Sequence, residues 1–144
     1  MTRLFRKLEG NVLFPAGSVV CIGAFDGVHL GHRALLRHTA RRAAALGVPA
    51  VAVSFEPLPR EFFGRGNPPP RLSLARSKVD ALIAEGMQGI GLLAFDAAMA
   101  ATSAEDFVRQ LLVQRLCARE VWIGPEFSFG NRRGGNLALL QAMG

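Results

Sequence analysis

Residues 23–32 read Gly23-Ala24-Phe25-Asp26-Gly27-Val28-His29-Leu30-Gly31-His32, glycines interleaved with two histidines and a carboxylate. Glycines at 23, 27 and 31 permit tight turns and close backbone approach, and a helix opening from such a turn presents unpaired N–H groups to an anion. His29 and His32 stand three apart, so both can face the same way as the helix begins, with ring N–H groups free to donate to phosphate oxygens. Charge developing during phosphoryl or nucleotidyl transfer would meet donors already in place. The same residues admit blander readings: a histidine at a helix start can cap or face solvent, and Asp26, His29 and His32 could ligate a metal. No third His or Cys clusters with them, and the glycine spacing serves phosphate better than metal, so no metal site is assigned. A Walker loop is excluded because no Gly-Lys-Ser/Thr ending exists. Gly89-Ile90-Gly91-Leu92-Leu93-Ala94 spells a dinucleotide fingerprint, but it lies inside a strand pattern and is set aside.

Other segments supply walls rather than chemistry. The chain has ten Phe, one Trp and no Tyr. Phe55, Phe62, Phe63, Phe127 and Phe129 fall at or after expected strand ends, where aromatic walls could hold a flat ring. Some of them are expected to plug the core instead, Phe62 or Phe63 foremost. Pro57 and Pro59 fix a loop's shape, and the prolines of 64–71 enforce an extended one. Arg33, Arg37 and Arg41 recur every four residues and read as a solvated stripe. Arg132 and Arg133 follow a glycine-rich turn. His38 has no motif around it and is expected to be exposed, and Cys21 and Cys117 are expected to be buried free thiols.

These residues must be positioned by regular elements. Apolar stretches at 19–22, 50–55, 90–94 and 121–123 read as strands. Between them the pattern predicts a helix over 30–46 stopped by Gly47 and Pro49, a second from an N-cap at Ser73 to before Gly86, and a third capped by Ser103 with Asp106 at N3. Asn136 is expected to cap a fourth. Uniformly apolar strands alternating with helices predict an α/β domain with a doubly wound parallel sheet, whose ligands bind outside the carboxyl ends of the strands. A length of 144 residues predicts one domain, and 17 basic against 11 acidic residues give a net charge of +6, which favours an anionic partner. The opening residues lack the apolar core of a secretory signal and no apolar run approaches spanning length, so a cytoplasmic protein is expected.

His29-Leu30-Gly31-His32 resembles the His-x-Gly-His motif of the nucleotidylyltransferases, and Phe25-Asp26-Gly27-Val28-His29-x-Gly31-His32 resembles the form found in bacterial FAD synthetases. Phe55-Glu56-Pro57-Leu58-Pro59, Arg71-Leu72 with Lys78, Ser103-Ala104-Glu105-Asp106-Phe107 and Gly124-x-x-Phe127-x-Phe129-Gly130-x-x-Arg133-x-Gly135 are similar to further segments of that family, in the same order. The resemblance implies a Rossmann-like fold and adenylyl transfer from ATP, with its Mg2+, to FMN, giving FAD and pyrophosphate. It assigns His29 and His32 to catalysis, Gly23, Phe25, Asp26, Gly27, Gly31 and Arg133 to ATP, and Phe55, Pro57, Pro59, Phe63, Phe127 and Phe129 to the flavin. It implies small-molecule partners, without nucleic acid or membrane. Leu58 and Glu126 depart from the family's usual polar and Asp or Asn residues. Neither the family's Ser-Ser-Thr-x-x-Arg motif nor a riboflavin kinase domain occurs in 1–144, so an adenylyltransferase domain incomplete at its C-terminus is expected. Three rival readings are a noncatalytic nucleotide-binding remnant, an adenylyltransferase for another phosphate acceptor, and a basic nucleic-acid-binding module.

Overall fold

The computed structural model describes residues 2–23, 25, 30–55, 72–93 and 97–123. Its centre is a five-stranded sheet of β1 (Arg3–Phe5), β2 (Ser18–Ile22), β3 (Ala50–Phe55), β4 (Gly89–Leu93) and β5 (Ala118–Ile123), ordered β1-β4-β3-β2-β5. All its pairings are parallel, with Val19 to Ile22 aligned on Ala50 to Val53 and on Glu120 to Ile123. β2, β3 and β4 are buried along their whole length, as uniformly apolar strands covered on both faces must be.

Alternate side chains of each strand feed two apolar layers. On one side Val19, Cys21, Ala50, Ala52, Ile90 and Leu92 pack against α1 (Leu30–Leu46) and α2 (Leu72–Ala84) through Leu36, Ala43 and Leu82. On the other side Val20, Ile22, Val51, Val53 and Leu93 meet Phe107, Val108, Leu111 and Leu112. This is the doubly wound α/β architecture that the alternation predicted. From β2 the chain steps outward through β3 to β4, whereas β5 returns to β2's other side, so the order reverses between β2 and β5. In open sheets a ligand crevice forms at such a reversal, outside the carboxyl ends of the strands.

Local chemistry explains most boundaries. Gly47 ends α1 at φ 70, a left-handed position that costs glycine little. Ser103 caps α4 (Ala104–Phe107) by accepting a hydrogen bond from the Asp106 N–H at 3.1 Å, as its spacing predicted. Ser73, expected as the N-cap of α2, lies inside the helix, which already includes Leu72. Beyond α4 the chain continues as a π-helical segment, Val108–Arg115, and a short helix, α3 (Ala97–Ala101), precedes it. β1 and the first half of β5 were not predicted, because Arg3 and the Arg119-Glu120 pair interrupt the apolar pattern at the sheet's two edges. The expected helix at Asn136 lies outside the described residues.

Gly89 and Gly91 sit within β4 rather than between strand and helix. A Cβ on Gly89 would fall 2.7 Å from the Phe14 ring, and one on Gly91 would fall 2.5 Å from the Phe5 ring. Those glycines therefore make room for two phenylalanines, which accounts for the discarded fingerprint. Among the described residues no helix is long and apolar enough to cross a membrane.

Candidate nucleotide site

The turn leaving β2 begins where the sheet order reverses. The Gly23 N–H extends the ladder by donating to the Val53 carbonyl at 3.1 Å, which fixes the start of the turn against β3. Two residues on, Phe25 is fully buried with φ 49. A left-handed phenylalanine costs about 1–2 kcal/mol, and burial of its ring in the layer with Leu36 and Leu82 offsets this. That ring also explains Gly23, whose Cβ would stand 3.0 Å from the Phe25 Cζ. Gly31 and His32 lie in the first turn of α1, and the half-buried His32 ring meets the Phe25 ring edge-on, centroids 5.4 Å apart at 72°. The structure thus joins Gly23, Phe25 and His32 into one packed unit at the start of a 17-residue helix.

Phe55, expected on the flavin side, ends β3 with 3 % of its surface exposed and lies in the core, its ring tilted 40° to Phe107 at 6.2 Å. Asp26, Gly27, His29, Pro57, Pro59, Phe62, Phe63, Phe127, Phe129, Arg132 and Arg133 lie outside the described residues.

At the same end of the sheet stands a buried cation. Lys78, in α2, is 4 % exposed, and its Nζ lies 3.4 Å from the Oγ of the fully buried Ser54, one of its partners. Taking an ammonium out of water carries a penalty of several kcal/mol, so its neighbours must compensate it. The signal was present in the spacing: Leu74, Lys78 and Leu82 recur every four residues, and a lysine occupies a position where the apolar stripe calls for a hydrocarbon.

His38, expected to be exposed, is half-buried instead, because the edge strand β5 brings Trp122 edge-on to its ring at 4.2 Å. Its Nε2 is buried without a hydrogen-bond partner among the described residues. Beside it Arg42 grips Glu120 through Nε and a second, very short contact, and Trp122 Nε1 donates to the same carboxylate at 3.1 Å. The Arg42 guanidinium holds the Glu120 carboxyl down at about 2. Arg33, Arg37 and Arg41 form the exposed stripe that was expected, and Glu85 lies 3.2 Å from Arg37. Cys21 is a buried free thiol that burial pushes up to about 12, which leaves it unreactive, and the free Cys117 is half-buried. A cavity of about 480 Å³ bounded by Ala40, Ala43, Gly47, Pro49 and Gln88 opens at the amino ends of β3 and β4, away from the turn.

A doubly wound parallel sheet in which the glycine-rich segment 23–32 links β2 to a histidine-bearing helix, where the strand order reverses, defines a nucleotidyltransferase-like fold. A solved structure from Streptococcus pneumoniae described as a macrolide-efflux protein shares the fold at a TM-score of 0.81, with 24% identity, over 98% of this chain and 46% of that one. The family model for FAD synthetase matches residues 13–144, and the chain belongs to that family. Similar proteins named bifunctional riboflavin kinase/FMN adenylyltransferase include that of Haemophilus influenzae, 40% identical over 97% of this chain and 46% of the relative. Those of Pseudomonas fluorescens and Escherichia coli K12 are 44% and 38% identical, each over 89% of this chain and 41% of the relative. The chain therefore spans less than half the length of these curated relatives.

Proposed function

We propose that residues 1–144 are an FMN adenylyltransferase domain, which transfers the adenylyl group of ATP to FMN to give FAD and pyrophosphate. The observation that carries this reading is the FAD synthetase match over residues 13–144, which takes in the turn after β2 and the start of α1. In the reaction an oxygen of the FMN phosphate attacks the α-phosphorus of ATP, and the bond from that phosphorus to the β-phosphate oxygen breaks. Pyrophosphate leaves with the electron pair. The second ionisation of a phosphate monoester lies near ~6, so the attacking oxygen already carries its charge at neutral pH and needs no general base.

Alignment and charge stabilisation are then the domain's task. Gly23, Phe25, Asp26, Gly27 and Gly31 shape the ATP pocket, with Arg133 on the phosphates. His29 and His32 are the catalytic pair that donates to the oxygens on which charge develops, and the edge contact with Phe25 supports this for His32 by fixing its ring. Mg2+ enters as part of the ATP substrate. Phe55, Pro57, Pro59, Phe63, Phe127 and Phe129 form the flavin side, where Phe55 acts from within the core by setting the end of β3.

FAD formation tests this directly. Incubation with ATP, Mg2+ and FMN should yield FAD and equimolar pyrophosphate, while nicotinamide mononucleotide and phosphopantetheine should release none above background. Replacing both His29 and His32 by Ala should lower the rate at least ~100-fold, the scale for removing preorganised donors. Pyrophosphate release driven by another acceptor, or near-normal turnover in the double variant, contradicts the assignment.

A further inference from the structure

Resting on the adenylyl-transfer reading and on the part it gives His32, we propose that His38 and Trp122 are positioning residues for that reaction: their contact fixes α1 against the edge strand β5 and so orients the His32 ring. Glu120 and Trp122 alternate with Val121 and Ile123, which pack into the opposite apolar layer, so both point to the side that α1 covers. They meet α1 at Arg42 and His38, one helical turn apart, and the two contacts form a seam along the helix. In register, Trp122 lies beside Cys21 and Ile123 beside Ile22, so the upper contact of the seam stands level with the end of β2. His32 lies six residues, roughly 9 Å of helix, beyond His38 toward the start of α1.

The rotation of a helix on a sheet is set by its directional contacts. α1 rests on the sheet through Leu36 and Ala43, and apolar burial of that kind carries no preferred angle. Toward α2 it presents Arg33 and Arg37 around Glu85, both arginines more than half exposed, and exposed ion pairs hold geometry weakly. On the β5 side the rings of His38 and Trp122 meet at 83° with centroids 4.2 Å apart, and Arg42 grips Glu120 with two nitrogens. Both arrangements fix angle as well as distance. Stability alone does not account for the histidine: its Nε2 is buried with no hydrogen-bond partner among the described residues, a cost that leucine in the same place would avoid. The ring that carries this cost is the one that sets α1 against β5, and the His32 ring rides on the same helix.

Steady-state FAD synthesis and thermal unfolding of the same proteins separate positioning from architecture. His38→Leu should melt no lower than wild type yet lower kcat about tenfold, with the ATP and FMN KM values within about twofold, because a misplaced group loses transition-state contacts and not ground-state binding. Trp122→Leu should lower kcat likewise, and Trp122→Phe, which keeps an aromatic face, should bring it back to within about threefold of wild type. Arg37→Gln, on the α2 side of the helix, should leave kcat within about twofold. Trp122 is the chain's one tryptophan, so its emission reads the seam directly: saturating ATP should change it in the wild type, and by less than about half as much in His38→Leu. Wild-type kcat in His38→Leu, losses that simply follow the melting temperature across the series, or an emission that ignores bound ATP would overturn the proposal. A wild-type protein that neither binds ATP nor forms FAD would instead overturn the functional reading, and this inference with it.

Discussion

Two buried cations lie on opposite faces of the sheet, and they are held differently. Arg115, 8 % exposed, ends the π-helical segment and reaches back across the chain. Its Nε donates to the Asn11 carbonyl at 3.1 Å, Nη1 donates to the Lys7 carbonyl, and the guanidinium stands 5.5 Å from the centre of the Phe5 ring. Its own carbonyl receives the Leu13 N–H at 2.8 Å. Arg115 thereby gathers residues 5–13 into the fold, and burial lowers its affinity for the proton without neutralising it. Lys78 meets a side-chain hydroxyl at the carboxyl end of β3 instead. A cation enclosed by backbone carbonyls ties distant segments of the chain together, whereas Lys78 is held where α2 meets the end of β3.

The sharpest way to break this contrast is Arg115→Met. It should leave the Lys7 and Asn11 carbonyls without their charged donor and destabilise the domain by roughly 2–4 kcal/mol, measurable by denaturant unfolding. The ATP KM of the folded fraction should not move. A variant as stable as the wild type would contradict the structural role given to Arg115.

A smaller effect is expected at a third charged group, the partly buried pair of Arg42 and Glu120. Glu120 titrates at about 2 in the folded chain, below the ordinary glutamate value, so the pair's contribution is complete above that ordinary value and is lost as pH falls toward about 2. Glu120→Gln should remove that part of the pH dependence and cost less than ~1 kcal/mol at neutral pH, because both side chains are partly solvated. Thermal melts of both proteins between pH 2 and pH 7 check this, and curves that stay parallel throughout would refute it.

The contrast also marks how far the residues could be read in advance. β2, β3, α1 and the Ser103 cap were legible because each writes its own local pattern: an apolar run, a glycine stop, a hydroxyl three residues before its N–H partner. β1 was not, since three residues cannot display a period, and the start of β5 was hidden by charged side chains at an open edge. At the site, the motif marked Gly23, Phe25 and His32, but it did not reveal that Phe25 is a left-handed, buried anchor for the His32 ring. His38 carries no motif, and its burial depends on Trp122, more than eighty residues later in the chain. Arg115 likewise works through partners about a hundred residues away, which no local spacing encodes. Lys78 was visible as a break in an apolar stripe, but only the fold supplies Ser54 and the strand end that give the break a meaning.

The central claim is that this domain moves an adenylyl group, and isotopic labelling tests it most directly. With ATP labelled at the α-phosphate the label should appear in FAD, and with ATP labelled at the γ-phosphate it should appear in pyrophosphate. A flavin that acquires the γ-label, or none from either position in a folded protein, would contradict the account.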